Sequence, residues 1–169
     1  LLKHMEIQLY KNGYKAMICN TIEISNREQD FIDMLRQNVM DGIITGAHSL
    51  QDYAYLNLNK PVVAMDRNLG PDIPIIHSDH KAGGRMAARL LLDAGCRNVL
   101  NFGGSFRVHT PSNDRHQEFK QVMEENGASV KTIEMAWNMM EYDYYCRIME
   151  QYMDIYRDID GVFTTDIGA

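Results

Sequence analysis

The chain has 169 residues, enough for one ordinary domain or two small lobes, and its 45% hydrophobic and 24% charged content is that of a soluble globular protein. A net charge of -6 argues against this stretch gripping a nucleic-acid backbone by itself, which takes a concentrated basic face, although a nucleic-acid module elsewhere in a longer chain is compatible with it. No apolar run reaches the ~18 residues of a membrane helix and no secretory signal is visible.

Three scattered cysteines, Cys19, Cys96 and Cys146, match neither a disulfide framework nor a metal site, so a reduced cytoplasm is expected. Six histidines form no HxxxH or HxH pair, and no metal or other cofactor is expected. The chain opens inside a helical pattern and stops as a strand ends, so a fragment or ordered part of a longer protein is expected.

Leu1, Met5 and Leu9, with Leu2 and Ile7 beside them, describe an amphipathic helix that Gly13 should end. Tyr14 to Asn20 reads as a strand. Ser25 and Glu28 form a capping box, so a helix should start there and present Phe31, Ile32, Leu35 and Val39 as its apolar face. Asp41-Gly42 turns the chain into a short buried strand, Ile43 to Gly46. Gln51 to Leu58 is a weak helix, and Pro61 to Asp66 is the next strand.

Asn68 to Pro74 carries a Gly-Pro and a second proline, the composition of a crossing segment. A lobe boundary is placed at Pro74 to His77, giving an incomplete N-terminal lobe over 1–75 and an incomplete C-terminal lobe over 76–169. Asp79 should cap a helix with Ala82, Met86, Leu90 and Leu91 inward and Gly95 at its end. Asn98 to Phe102 is a strand, and Gly103-Gly104-Ser105 a tight turn. Ser112 or Asn113 should cap a helix to Asn126, closed by Gly127. A strand over Val130 to Met135, a helix from Glu141 to about Tyr156 (Tyr145, Met149 and Met153 on one face) and a strand over Gly161 to Thr164 complete the series.

Buried strands alternating with helices predict an α/β fold with parallel sheets covered on both faces. In such sheets ligands sit beyond the carboxyl ends of the strands. Asp66 at a strand end, Asp79 at a helix start and Arg115 on the next helix are the polar residues this geometry would gather.

The ordered series DGII, PVVAMDR, SDHKAGGRMAARLLLDAGCRNVLNFGG, RHQEF and GVFTTD resembles the effector-binding core of lactose/galactose-repressor (LacI/GalR) transcription regulators, from the first helix to the last residue. The resemblance implies a two-lobed parallel-sheet sandwich of the periplasmic-binding-protein-like type, truncated here at both ends. It also implies a small sugar or sugar phosphate between the lobes, a homodimer, and operator DNA held by an upstream helix-turn-helix.

Residue by residue, Asp79 stands where the family has an acidic residue that contacts effector hydroxyls. Arg115 stands in its R-x-x-G-F pattern, with Glu118 in place of the glycine and Phe119 retained. Trp137 falls where some members stack an aromatic on the sugar ring. Asp66 and Arg67 match the D-R at the third strand's end, and Thr165-Asp166 replaces the family's Asn-Asp. Asn59 is a weaker candidate.

This set suits a sugar. Carboxylates and a guanidinium fork serve hydroxyls through charge-assisted hydrogen bonds, and an aromatic serves the C–H face. Plainer roles exist for each residue: Asp79 and Asp166 as helix caps, Arg115 as a solvated charge, Asp66 and Arg67 as a salt bridge at the boundary, and Trp137 as core. His77, His80, His109 and His116 read as loop or helix-end residues without a ligand role. The chain carries no nucleophile elbow, HExxH or Rossmann fingerprint, so catalysis is not expected. An extracytoplasmic sugar-binding receptor is the alternative function, and a small α/β enzyme a more distant one.

Overall fold

A computed structural model describes residues 1–21, 27–46, 52–55, 58–103, 106, 110–136 and 141–164. Among these residues run helices α1 (Leu2–Lys11), α2 (Arg27–Arg36), α3 (His80–Asp93), α4 (Asn113–Glu125) and α5 (Tyr142–Ile155). The strands are β1 (Ile43–Thr45), β2 (Val62–Met65), β3 (Ile75–Ile76), β4 (Asn98–Gly103), β5 (Ser129–Glu134) and β6 (Gly161–Thr164).

The strands form two parallel sheets, ordered β1-β2-β3 and β5-β4-β6. In the first, Ile43 to Thr45 pair with Val62 to Ala64, and Ala64-Met65 with Ile75-Ile76. In the second, β4 is the central strand, paired along its whole length with β5 and from Val99 to Phe102 with β6. Parallel strands are buried on both faces, and β4 accordingly shows no polar–apolar alternation, its interior Asn101 being as fully buried as the apolar residues around it. Its residues alternate between two cores. Val99 packs with Ala88, Phe119 and Met123 under α3 and α4, while Leu100 and Phe102 pack with Ile133, Met135 and Tyr145 against α5. The first sheet has its own core of Ile32, Leu35, Tyr55, Leu58, Val62, Ala64 and Leu69.

Helix ends set the entry into each strand. At α3 and α4 the chain leaves through left-handed glycines, Gly95 (φ 88°) and Gly127 (φ 76°). Each helix closes with a paired bond set: Cys96 N–H to Leu91 and Gly95 N–H to Leu92, and likewise Ala128 to Met123 and Gly127 to Glu124. Helix α2 closes the same way through Asn38 (φ 61°). That turn removes Val39 from the helical face, so Val39 is 62% exposed instead of sharing the buried row of Ile32 and Leu35. Phe31, expected in the same row, is half-buried.

Other expectations are corrected. Residues 14–20 are exposed and join no ladder, because none of the described strands lies beside them and an apolar pattern without a partner strand cannot become one. The weak helix at Gln51 to Leu58 is, over its described part, a 3-10 turn at Asp52–Tyr55. Ile75 and Ile76, for which no strand was expected, pair with β2 as the last strand of the first sheet.

On α3, Met86 and Leu90 are exposed, and the buried face is His80, Gly84 and Ala88. Small residues turn towards α4 because the helices cross too closely for larger ones: a Cβ on Gly84 would lie 2.3 Å from the Arg115 carbonyl oxygen. On α5, Tyr145 is buried, while Met153 is 52% exposed. The expected capping serine, Ser25, and the turn residues Gly104 and Ser105 lie outside the described residues.

Candidate functional site at the strand ends

Asp66 follows the last residue of β2 and adopts φ 50°, a left-handed conformation that aspartate tolerates better than most residues. Its backbone N–H donates to the Ile76 carbonyl at 3.0 Å, which anchors it to the neighbouring strand end. Its carboxylate, 47% exposed, accepts from His80 Nε2 at 2.6 Å. Asp66 thus belongs to the first sheet, while His80 opens the helix that leads into the second.

Asp79 caps α3, its carboxylate accepting from the Ala82 N–H at 2.9 Å. The cap fixes where the helix begins and so the direction of the His80 ring, which is buried. His80 Nδ1 in turn faces Arg115 Nη2 at 2.8 Å. Arg115 lies in the first turn of α4 above Gly83 and Gly84, and a Cβ on Gly83 would come 3.8 Å from its Nε. The bare helix surface gives the guanidinium its passage to the strand ends. The result is a chain Asp66–His80–Arg115, with the cap Asp79 adjoining it. Asp66, Asp79 and Arg115 are brought to one place, with His80 as their link.

Glu118, at the position where the resemblance expects glycine, is paired with Arg85 of α3 at 2.8 Å. The departure from the pattern therefore bridges the same two helices that carry Arg115 and His80.

Beneath Arg115, the next residue, His116, is buried and hydrogen-bonds the Asn101 side chain at 2.6 Å. Asn101 is fully buried and donates onward to Thr132 Oγ1 at 3.2 Å. Phe163 leans on the imidazole with centroids 5.3 Å apart. Burial, followed by the Arg115 charge, lowers the His116 pKa to about 4, so the ring under the site is neutral.

Arg67 is placed elsewhere. Its guanidinium, 4% exposed, pairs with the equally buried Glu28 carboxylate at 3.1 Å and lies over the Tyr55 ring, 5.3 Å from its centroid. The Tyr55 hydroxyl also donates to Glu28. Arg67 is therefore part of the first sheet's core, not of the strand-end cluster, and Glu28 meets residues far along the chain. Burial and the Glu28 hydrogen bond both raise the Tyr55 pKa. Asn59 is exposed with φ 50°, at the turn before β2. Trp137, Thr165 and Asp166 lie outside the described residues. His80, expected as a loop or helix-end residue without a ligand role, does stand at the helix start, but it bonds both Asp66 and Arg115; its signal was an imidazole directly after a helix-capping aspartate, downstream of an aspartate that ends a strand.

Known proteins resemble this chain in sequence and in fold. A sucrose operon repressor of Streptococcus mutans is 43% identical over 122 residues, 72% of this chain and 38% of the repressor. A sucrose operon repressor of Lactococcus lactis is 31% identical over 169 residues, 98% of this chain and 52% of its own length. The chain thus spans about half or less of these curated relatives. Among solved structures, a periplasmic binding protein/LacI transcriptional regulator from Alkaliphilus metalliredigens, complexed with D-xylulofuranose, superposes with a TM-score of 0.79 at 26% identity, covering 98% of this chain and 61% of that one. No family model matches the chain. Its relatives being operon repressors and its two parallel sheets being those of LacI-type cores, the chain is a LacI/GalR-type, periplasmic-binding-protein-like regulator segment.

Proposed function

We propose that the chain forms part of the effector-sensing core of a LacI-type transcriptional regulator. In this reading a small sugar or sugar phosphate binds between an N-terminal lobe ending near Pro74–His77 and a C-terminal lobe beyond it. The observation that carries it is the gathering of Asp66, Asp79 and Arg115 where the first sheet hands over to the second. Carboxylates and a guanidinium at one strand-end crevice are the groups that recognise vicinal hydroxyls or a phosphate.

The matched relatives include sucrose and ribose operon repressors, which favours a regulator over a transport receptor and makes sucrose, its component hexoses, ribose and their phosphate esters the first ligands to try. Trp137, Thr165 and Asp166 would complete the ligand shell from the second lobe. The effector acts by its differential affinity for two lobe arrangements, which in a cytoplasmic homodimer would change the spacing of DNA-binding heads. Calorimetric titration of the full-length protein with these sugars is the test. Binding tighter than millimolar that falls at least tenfold in Arg115→Ala is expected. Absence of binding across the panel, or an Arg115→Ala protein that binds as well, would refute the reading.

A further inference from the structure

We propose that His80 is a positioning residue that couples the two sheets, tying Asp66 of the first to Arg115 of the second so that a ligand group meeting either one is felt by both. This deepens the effector-site reading and rests on it. The chemistry of the link allows one arrangement only. Arginine has donors and no acceptor, so His80 Nδ1, 2.8 Å from Arg115 Nη2, presents its lone pair. The ring hydrogen then sits on Nε2 and points to the Asp66 carboxylate at 2.6 Å. A neutral imidazole in this one tautomer satisfies both neighbours. The other tautomer sets N–H against N–H on one side and a lone pair against a carboxylate on the other.

The ring is buried at the first position of α3, behind the Asp79 cap, and the His77 ring lies parallel to it with centroids 6.1 Å apart. Burial leaves the imidazole no water to exchange for either partner, so displacing one sheet relative to the other must lengthen one of the two bonds. A sugar hydroxyl that draws on Asp66 or Arg115 therefore changes the cost of moving the sheets.

Two measurements on the full-length protein test the coupling. In protein labelled with nitrogen-15 histidine, the His80 signals are identified by their loss in His80→Gln. Long-range proton–nitrogen correlation should show the hydrogen on Nε2 and none on Nδ1; a hydrogen on Nδ1 overturns the proposal. The second is a double-substitution cycle of Asp66→Asn and Arg115→Lys, read both in the dissociation constant of the bound sugar and in the unfolding equilibrium constant. The combined change should differ from the product of the single changes by about threefold or more.

In the His80→Leu background the two changes should simply multiply, and in His80→Gln, whose amide can donate to Asp66 and accept from Arg115, part of the coupling should return. Independent effects with His80 present, or coupling that survives His80→Leu, overturn the proposal. If no sugar binds the unsubstituted protein, the effector reading fails, while the unfolding cycle and the tautomer still decide whether His80 links the sheets.

Discussion

Gly84→Ala tests the crossing on which the site depends. The added Cβ would lie 2.3 Å from the Arg115 carbonyl oxygen, 3.0 Å from the Phe119 nitrogen and 3.2 Å from the Arg115 carbonyl carbon. A relaxed C···O contact is about 3.3 Å or longer, so the helices must separate by roughly 1 Å. All three atoms are backbone, and no side-chain rotation relieves the overlap. Overpacking of this kind costs about 1–3 kcal/mol, against which alanine returns up to about 1 kcal/mol of helix propensity.

The net expectation is a loss of about 1–2 kcal/mol, which in a domain of this size lowers the melting temperature by about 2–8 °C. Because two of the three atoms displaced belong to Arg115 itself, the proposed effector reading expects sugar affinity to fall several-fold at temperatures where the protein is still folded. The neighbouring Gly83→Ala supplies the control. Its Cβ would meet only the Arg115 Nε, at an ordinary 3.8 Å, so propensity should make it neutral or slightly stabilising. Thermal unfolding of both variants beside calorimetry reads the difference. A Gly84→Ala protein as stable as Gly83→Ala would refute the close crossing of α3 and α4.

Three further outcomes follow from buried polar groups and from one partly exposed pair. The folded-state pKa of His116, about 4, lies below its ordinary 6.5, so the unfolded chain binds the proton more readily; stability is full above about pH 6.5 and is lost as pH falls towards 4. That gap is worth about 3 kcal/mol, and urea titrations across it should show a flatter profile for His116→Gln. Glu28→Ala removes the carboxylate shared by Arg67 and Tyr55 in the first sheet's core, and breaking a buried pair in this way should cost about 3–5 kcal/mol by chemical denaturation. Glu118→Gln, by contrast, alters a pair whose side chains are 20% and 40% exposed, so solvent screening should hold the loss below about 1 kcal/mol in the same assay.

Much of the architecture follows from short-range chemistry and was legible in the residues. Gly95 and Gly127 end helices because the left-handed turn that satisfies the last carbonyls is cheapest for glycine. The Asp79 cap is visible from its own few residues, and β4 announces its burial by lacking polar alternation. Asp66, Asp79 and Arg115 were collected by the general rule that parallel strands present their carboxyl ends to one crevice.

Features that depend on distant neighbours were not legible. Arg67 and Glu28 stand 39 positions apart, and nothing near either one announces a buried pair. The rotation of α3 that buries Gly84 and Ala88 and exposes Met86 and Leu90 is set by how closely α4 can approach, a distance that α3's own pattern does not contain. Residues 14–20 carry a strand's composition yet lack a ladder, since pairing is a property of two segments and not of one. The bridging role of His80 has the same origin. Its two partners lie 14 residues before it and 35 after, and only packing of the sheets brings a carboxylate and a guanidinium to opposite nitrogens of one ring.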